Sequence, residues 1–282
     1  MTPLPTFTSL GAGTTILMLH GIDGGHRAFA PQVERFAGAG YRAVSWDMPG
    51  YGHSAPIEAY TFKGLAESCI RLIDGLLDGD AAAARERGTT AAAPRSVMLL
   101  GHGFGGMVAQ EVVARRPDLV RALVLCGATA RFDADANGNA AQQWRHAFVA
   151  QREAEIDAGR GMVEIAQTLV PRMIGPASLP EGVALAVHCM AQIPQSTYRR
   201  ALQALPTFDR EADLARIHVP TLLVAGEFDK SAPPAEMERM SKAIGGSSFA
   251  ELKGIGALQN LEAPDEFDEL VLNFLALPRW LH

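Results

Sequence analysis

The chain has 282 residues, enough for one large domain or for one domain that carries a sizeable insertion. With 48% hydrophobic residues, 20% charged residues and a formal net charge of −6, it has the composition of an ordinary soluble globular protein. The acidic balance counts against nucleic-acid or anionic-membrane binding through bulk charge, and no stretch is apolar enough to span a bilayer. The first residues lack the basic and apolar regions of a secretory signal, and three widely spaced cysteines suit neither a disulfide framework nor a zinc site. We therefore expect a cytoplasmic protein.

Short apolar stretches that predict β-strands alternate with segments whose apolar residues recur at helical spacing. The strands are predicted near 7–10, at 14–19 and 41–46, from 97 onward, and at 121–126, 221–225 and 247–252. The helices between them are predicted at 28–39, 62–77, about 107–116, 235–244 and 264–275. This alternation predicts an α/β protein with a mostly parallel sheet of about eight strands and helices on both faces.

The alternation stops between residues 131 and 208. Four helical segments and no good strand are predicted there, at 140–158, 162–173, 180–192 and 197–205. We expect residues 1–130 and 209–282 to form the core, and residues 131–208 to form a helical cap over the carboxyl ends of the strands, where such folds bind ligands. The low-complexity stretch 78–94 is expected to extend the preceding helix in part and otherwise to form a surface loop.

The most informative stretch is 97–109, where an apolar run meets a cluster of small residues and then a helical pattern. Strand, sharp turn and helix in that order are the setting of a nucleophile elbow, whose pattern is small-x-nucleophile-x-small. Here the pattern reads Gly101-His102-Gly103-Phe104-Gly105, so the frame is present but the central residue has no nucleophilic atom.

The chain resembles the α/β-hydrolase superfamily over almost its whole length, on four motifs in the expected order. They are the His-Gly pair at 20–21, the Asp-x-Pro-Gly-x-Gly-x-Ser loop at 47–54, the elbow at 101–106 and the acid-bearing loop at 226–234. Within the superfamily it is most similar to 3-oxoadipate enol-lactonases and related small esterases. That finer resemblance includes Trp144, Arg172 and the tail 254–267.

The resemblance implies the roles of individual residues. In this family a serine attacks the carbonyl, a histidine takes its proton, a carboxylate orients the histidine, and two backbone N–H groups bind the oxyanion. The corresponding positions are Gly103 for the nucleophile, Ala257 for the base, Asp229 for the acid, and Ile22 and Phe104 for the oxyanion donors. Two of the three triad side chains are therefore replaced by very small residues, and we expect little or no ester hydrolysis.

Two explanations remain open at this point. The chain is either a disabled form of a hydrolase that would have serine at position 103 and histidine at 257, or a natural pseudoenzyme that binds a small molecule or a partner. Because Asp229 and the glycine frame are intact, we favour the first. A relocated nucleophile at Cys126, or a relocated base at His26 or His188, is a weaker alternative.

The expected ligand is a small ester or lactone. Five arginines, most of them expected to be solvated, give the cap a basic element: Arg145, Arg152, Arg172, Arg199 and Arg200. We expect Arg172 to pair with a carboxylate on the substrate and Trp144 to line the pocket. The sequence suggests no cofactor, no metal, no nucleic acid and no membrane partner, and it leaves the oligomeric state open.

Overall fold

The computed structural model of the protein describes residues 3–86, 95–133 and 135–277. Part of the low-complexity stretch, residues 87–94, lies outside the described residues. Within those residues the fold is an α/β sandwich built on one sheet.

The sheet has seven strands in the described part of the chain, against the predicted eight or so. They are β1 (Phe7–Leu10), β2 (Thr15–Leu19), β3 (Arg42–Trp46), β4 (Val97–His102), β5 (Val120–Cys126), β6 (Thr221–Gly226) and β7 (Ser248–Leu252). Their order across the sheet is β1-β3-β2-β4-β5-β6-β7, and every neighbouring pair is parallel except β1 with β3. The elbow therefore follows the middle strand of the sheet, β4, which is paired with β2 on one side and with β5 on the other.

Ten α-helices are described. They are α1 (Ala30–Gly38), α2 (Phe62–Glu86), α3 (Phe104–Arg115), α4 (Ala140–Asp157), α5 (Met162–Met173), α6 (Pro180–Ala191), α7 (Gln195–Ala204), α8 (Pro234–Ala243), α9 (Gln259–Glu262) and α10 (Pro264–Ala276). Helix α2 continues to Glu86 beyond the predicted end at 77, because the added segment contains a run of four alanines, which have high helix propensity. Helix α1 begins later than predicted, since residues 26–29 form a 3₁₀ turn and a proline opens the α-helix. The single turn α9 was not predicted.

Helices α4 to α7 all lie between β5 and β6, and the two ends of this segment lie side by side. Arg131 pairs with Asp209 in an isolated antiparallel bridge, and the Phe132 N–H donates to the Phe208 carbonyl oxygen over 3.0 Å. A segment that leaves and rejoins the core at one place is consistent with a cap at 131–208, which stays a prediction.

Side chains of alternate strand residues supply two apolar layers, one on each face of the sheet. On β2, Leu17 and Leu19 face the layer that includes α2 and α3, whereas Ile16 and Met18 face the layer formed with α1 and α10. Both faces of β2 are buried, as expected for a parallel sheet between two layers of helices.

One buried carboxyl group beneath the sheet gives a first prediction. Asp268 on α10 accepts a hydrogen bond from the Gln32 side-chain amide over 3.0 Å, and burial raises the pKa of Asp268 from 3.8 to about 7. The native state therefore holds this proton more tightly than the unfolded chain, so the contribution of Asp268 to stability falls as pH rises from about 4 to about 7. Asp268→Asn keeps an acceptor for Gln32 and removes the titration.

We expect Asp268→Asn to match the parent chain in stability near pH 4.5 and to exceed it by roughly 2–4 kcal/mol near pH 8. Urea denaturation at the two pH values measures this difference. Asp78→Asn, an isosteric change at an exposed position of α2, is the control and should show no pH-dependent gain. An equal effect of Asp268→Asn at both pH values would contradict the assignment.

Candidate active site

Gly103 occupies the sharp turn between β4 and α3. Its backbone has φ 51° and ψ −117°, a conformation that L-residues with a side chain rarely adopt. Its N–H donates to the Cys126 carbonyl over 2.9 Å, and its own carbonyl accepts from the Met107 N–H over 3.1 Å at the start of α3. A Cβ on Gly105 would lie 2.1 Å from the Leu19 carbonyl oxygen, so the turn requires its flanking glycine. The backbone of a nucleophile elbow is therefore complete.

Position 103 has room for a side chain. A Cβ built there would meet nothing closer than the Gly21 Cα at 3.8 Å and the Gly127 carbonyl oxygen at 4.0 Å, which are ordinary contact distances. Position 103 thus has the space that the Cβ of a serine would need.

A cavity of about 60 Å³ lies at the carboxyl ends of the strands, beside the elbow. Most of its lining is apolar, and it includes Gly21, Ile22, Asp23, His102, Gly103, Phe104, Met107, Gly127, Thr129, Phe132, Trp144, Phe148, Met173, Leu205, Ser231, Ala232 and Ala257. The positions predicted for nucleophile, base and oxyanion donors therefore meet at one cavity, and Trp144 lines it, stacked on Phe148 at 5.1 Å between ring centroids.

Arg172 does not reach this cavity. It is exposed, whereas its neighbour Met173 lines the cavity, because successive residues of α5 point about 100° apart around the helix. The geometry gives no support to the predicted pairing of Arg172 with a substrate carboxylate. Two other arginines of the predicted cap are buried but engaged: Arg145 donates to the Ser231 carbonyl and to Glu236, and Arg152 pairs with Glu155.

Asp229 follows β6 and is buried behind the cavity. Its Oδ1 accepts from the Ser231 N–H at 2.8 Å, the Ser231 hydroxyl at 2.7 Å and the Ala232 N–H at 3.1 Å. Its Oδ2 faces the side-chain amide of Gln259 at 3.4 Å. Burial raises the pKa of Asp229, although these donors oppose the rise. The carboxylate is fixed on one oxygen and weakly bound on the other, which suits an acid that orients a neighbouring donor.

The hydrogen bonds around Ala257 include some that the sequence did not predict. The Ala257 N–H donates to the Met173 carbonyl over 2.7 Å, and the Ala257 carbonyl oxygen lies 2.6 Å from Nε2 of His102. Gln259 also accepts from the Cys126 thiol, with Sγ 3.1 Å from its Oε1. No sequence pattern marked Gln259, because its role depends on residues that are far away along the chain.

The loop that carries Ile22 is held by two buried side chains. His20 Nε2 accepts from the Met48 N–H at 3.0 Å, so its Nδ1 carries the proton and donates to the Gly21 carbonyl at 2.8 Å. The Tyr51 hydroxyl donates to the Ile22 carbonyl over 2.8 Å. Phe104 is the first residue of α3, where helix geometry leaves its N–H without an intrahelical acceptor. Both predicted oxyanion donors therefore lie on backbone that is fixed in place.

His20 gives a second prediction. Burial lowers the pKa of His20 from 6.5 to about 4. His20 is therefore protonated at a higher pH in the unfolded chain than in the native state, so the stability of the native state falls as pH drops from about 6.5 to about 4. We expect His20→Gln to lower the free energy of unfolding by about 1–3 kcal/mol at pH 7, through lost hydrogen bonds. This penalty should shrink at pH 4.5, because only the parent chain has the histidine to protonate. Urea denaturation at both pH values checks it, and an equal penalty at both would refute it.

The relocated groups that the sequence left open do not assemble here. Burial raises the pKa of the Cys126 thiol well above its usual range, which keeps it a thiol rather than a nucleophilic thiolate. His26 is hydrogen-bonded to Asp47 at 2.9 Å, and both His26 and His188 line a separate surface groove. The structure therefore offers no replacement triad through these three residues.

The described residues include neither a metal cluster nor a membrane-spanning helix. No group of three or more His, Cys, Asp or Glu side chains is arranged to hold a metal ion in the ranges that the structure covers. Among the helices described, none combines the length and the apolarity that crossing a bilayer requires.

Comparison with known proteins agrees with the fold. The model of the alpha/beta hydrolase family matches residues 16–270. RutD of Azorhizobium caulinodans, which is named as a carbamate hydrolase, is 26% identical over 270 residues, covering 94% of this chain and 92% of its own length.

Two solved structures have the same fold. The enol-lactonase from Burkholderia xenovorans LB400 superposes with a TM-score of 0.78 at 22% identity, covering 96% of this chain and 95% of the other. The malate-bound thermophilic esterase from Thermogutta terrifontis gives a TM-score of 0.75 at 25% identity, covering 96% of this chain and 92% of its own. The predicted fold class and family resemblance are confirmed, with seven strands in the described residues where about eight were predicted: the chain belongs to the alpha/beta hydrolase family.

Proposed function

We propose that the chain is a serine-hydrolase scaffold for a small ester or lactone, in a form that binds its ligand without hydrolysing it. One observation carries the proposal: Gly103 and Ala257 line one cavity, with Asp229 still fixed behind it. The frame of the reaction is kept, and the two groups that move electrons and protons are the ones that are missing.

The chemistry of the intact form follows from these positions. A hydroxyl on residue 103 would add to the carbonyl carbon while an imidazole on residue 257, oriented by Asp229, took its proton and later passed it to the leaving oxygen. The N–H groups of Ile22 and Phe104 would hold the oxyanion. Without the hydroxyl and the imidazole only binding and oxyanion stabilisation remain, which corresponds to a loss on the order of 10⁶ in rate constant.

A natural binding protein is the second candidate. The side-chain amide of Gln259 lies at the otherwise free Oδ2 of Asp229, where a triad histidine would donate, so the acid is not left without a neighbour. This contact is expected of a site that has long lacked its histidine, because another donor has taken the histidine's place at Asp229. Both candidates use the same cavity. They differ in whether Asp229 and the two oxyanion donors would still support hydrolysis once serine and histidine were restored.

The ligand class rests on the cavity and on the relatives. The cavity is small and largely apolar, with Trp144 and Phe148 on one wall. The relatives are named as a carbamate hydrolase, an enol-lactonase and an esterase, all of which act at an acyl carbon. A small acyl compound is the ligand that fits both observations. The three cysteines are buried free thiols, which supports a cytoplasmic location.

Hydrolysis of p-nitrophenyl acetate tests the proposal. The chain as it stands should release p-nitrophenol no faster than buffer does, and turnover typical of competent esterases would overturn the proposal. Restoring the two side chains, Gly103→Ser with Ala257→His, separates the candidates. A large gain in hydrolysis supports a disabled hydrolase, and no gain supports a binding protein.

A further inference from the structure

Asp23 is an acidic side chain in the wall of the cavity that the proposed function does not use. It is 8% exposed, and it lines both the main cavity and a smaller adjoining one of about 10 Å³. Within the described residues its carboxylate has no hydrogen bond and no ion pair, unlike Asp229 and Asp47. A carboxylate that is unpaired within the protein and opens only into a cavity favours a donor that enters that cavity.

No arginine or lysine is among the residues that line either cavity. The buried Arg145 is already bound to the Ser231 carbonyl and to Glu236. The cavity is therefore acidic where the resemblance to enol-lactonases implied a basic residue.

His102 supplies a second hydrogen-bond acceptor close to Asp23. Nε2 of His102 lies 2.6 Å from the Ala257 carbonyl oxygen, which can only accept, so Nε2 carries the proton and Nδ1 of the neutral ring is an acceptor. His102 Nδ1 and Asp23 Oδ1 lie 2.8 and 2.7 Å from the position that a Cβ on Gly21 would take. The two acceptors thus lie on one side of Gly21 and no more than 5.5 Å apart, so an ammonium group beside them has enough N–H donors for both.

We propose that the cavity binds a ligand bearing a protonated primary amine, which donates to Asp23 Oδ1 and His102 Nδ1 while its apolar part packs on Trp144 and Phe148. This inference rests on the proposed function, since it takes this cavity as the substrate site, and it narrows the substrate class to amine-bearing esters or lactones. A carboxylate-bearing substrate, which the sequence favoured, would be repelled by Asp23.

Three probes of the same shape test this in the chain as it stands. Benzylamine, benzyl alcohol and benzoate carry a cation, a neutral hydroxyl and an anion on one ring, and their dissociation constants are measured by calorimetry or ligand-detected NMR. Benzylamine should bind about tenfold or more tightly than benzyl alcohol, as expected for a desolvated charge-assisted hydrogen bond, and benzoate should bind weakest.

Two isosteric variants assign the effect to Asp23. Asp23→Asn should abolish the preference for benzylamine over benzyl alcohol, and Asp78→Asn, at an exposed position of α2, should leave it unchanged. Failure of benzylamine to bind more tightly than benzyl alcohol overturns the inference without any variant, and so does a preference that survives Asp23→Asn.

The experiments distinguish a failure of the proposed function from a failure of this inference. Hydrolysis of neutral p-nitrophenyl acetate by Gly103→Ser with Ala257→His does not depend on an amine. A gain in hydrolysis without an amine preference overturns only the amine inference. An amine preference without a gain in hydrolysis supports the inference and leaves the binding protein as the function.

Discussion

Gly103→Ser combined with Ala257→His is expected to raise kcat/KM for p-nitrophenyl acetate by about 10⁴-fold or more, and each single substitution by far less. The two groups act as a unit: a serine without a base stays a weak nucleophile, and a histidine without a hydroxyl has no proton to take. Position 103 has room for the new side chain, with no contact to its Cβ shorter than 3.8 Å. Steady-state rates of the parent chain, both singles and the double variant measure the coupling directly.

A matched control separates catalysis from a change in backbone. Gly103→Ala with Ala257→His places a Cβ at φ 51° just as serine does, at a strain of about 1–2 kcal/mol, and supplies the histidine without a hydroxyl. It should remain as inactive as the parent chain. If the serine-containing double variant is no faster than this control, the chain is a binding protein and not a disabled hydrolase.

Gln259 sets a limit on that gain. Its amide lies 3.4 Å from Asp229 Oδ2, the oxygen that an imidazole at position 257 would need. A histidine there must compete with this contact, which is long and therefore weak. We therefore expect the contact to reduce the gain in rate without abolishing it.

Most of the fold was predictable because it depends on local patterns. Apolar runs bounded by glycine and proline identified the strands, and helical spacing identified the helices, including the four between residues 131 and 208. The elbow was predictable for a similar reason, since Gly101 and Gly105 are needed where backbones approach within contact distance. Strand order and the number of strands depend on pairing between distant segments, and the sequence suggested about eight where seven are described.

The residues that line the cavity were less predictable, because the lining depends on which way individual side chains point. Arg172 and Met173 are neighbours in sequence, yet only Met173 lines the cavity. Arg145 looked solvated from its charge but is 2% exposed and bound to the loop that carries Asp229. Asp23 lies next to a predicted oxyanion residue, and only the folded structure shows that it is 8% exposed and that it lines both cavities.

Glu262 in the tail of the chain carries the largest expected effect on stability. Its Oε2 accepts from the Gly175 N–H at 2.7 Å, the Ser178 hydroxyl at 2.5 Å and the Gly256 N–H at 2.8 Å, and its Oε1 accepts from the Leu258 N–H at 2.8 Å. The side chain is fully buried, so these donors have no water to replace it. One carboxylate thus joins the segment after α5 to the loop that places Ala257.

Glu262→Ala is expected to lower the free energy of unfolding by about 4–5 kcal/mol, because it leaves several buried donors unsatisfied at once. Glu262→Gln should cost about 2–3 kcal/mol, since its best orientation keeps an oxygen at three donors and sets an N–H₂ group against the fourth. Urea denaturation measures both. Glu266→Gln, an exposed position in the first turn of α10, is the matched control and should stay within about 0.5 kcal/mol of the parent chain. Equal stability of Glu262→Gln and Glu266→Gln would show that Glu262 does not hold the two segments together, and the placement of Ala257 would then need another cause.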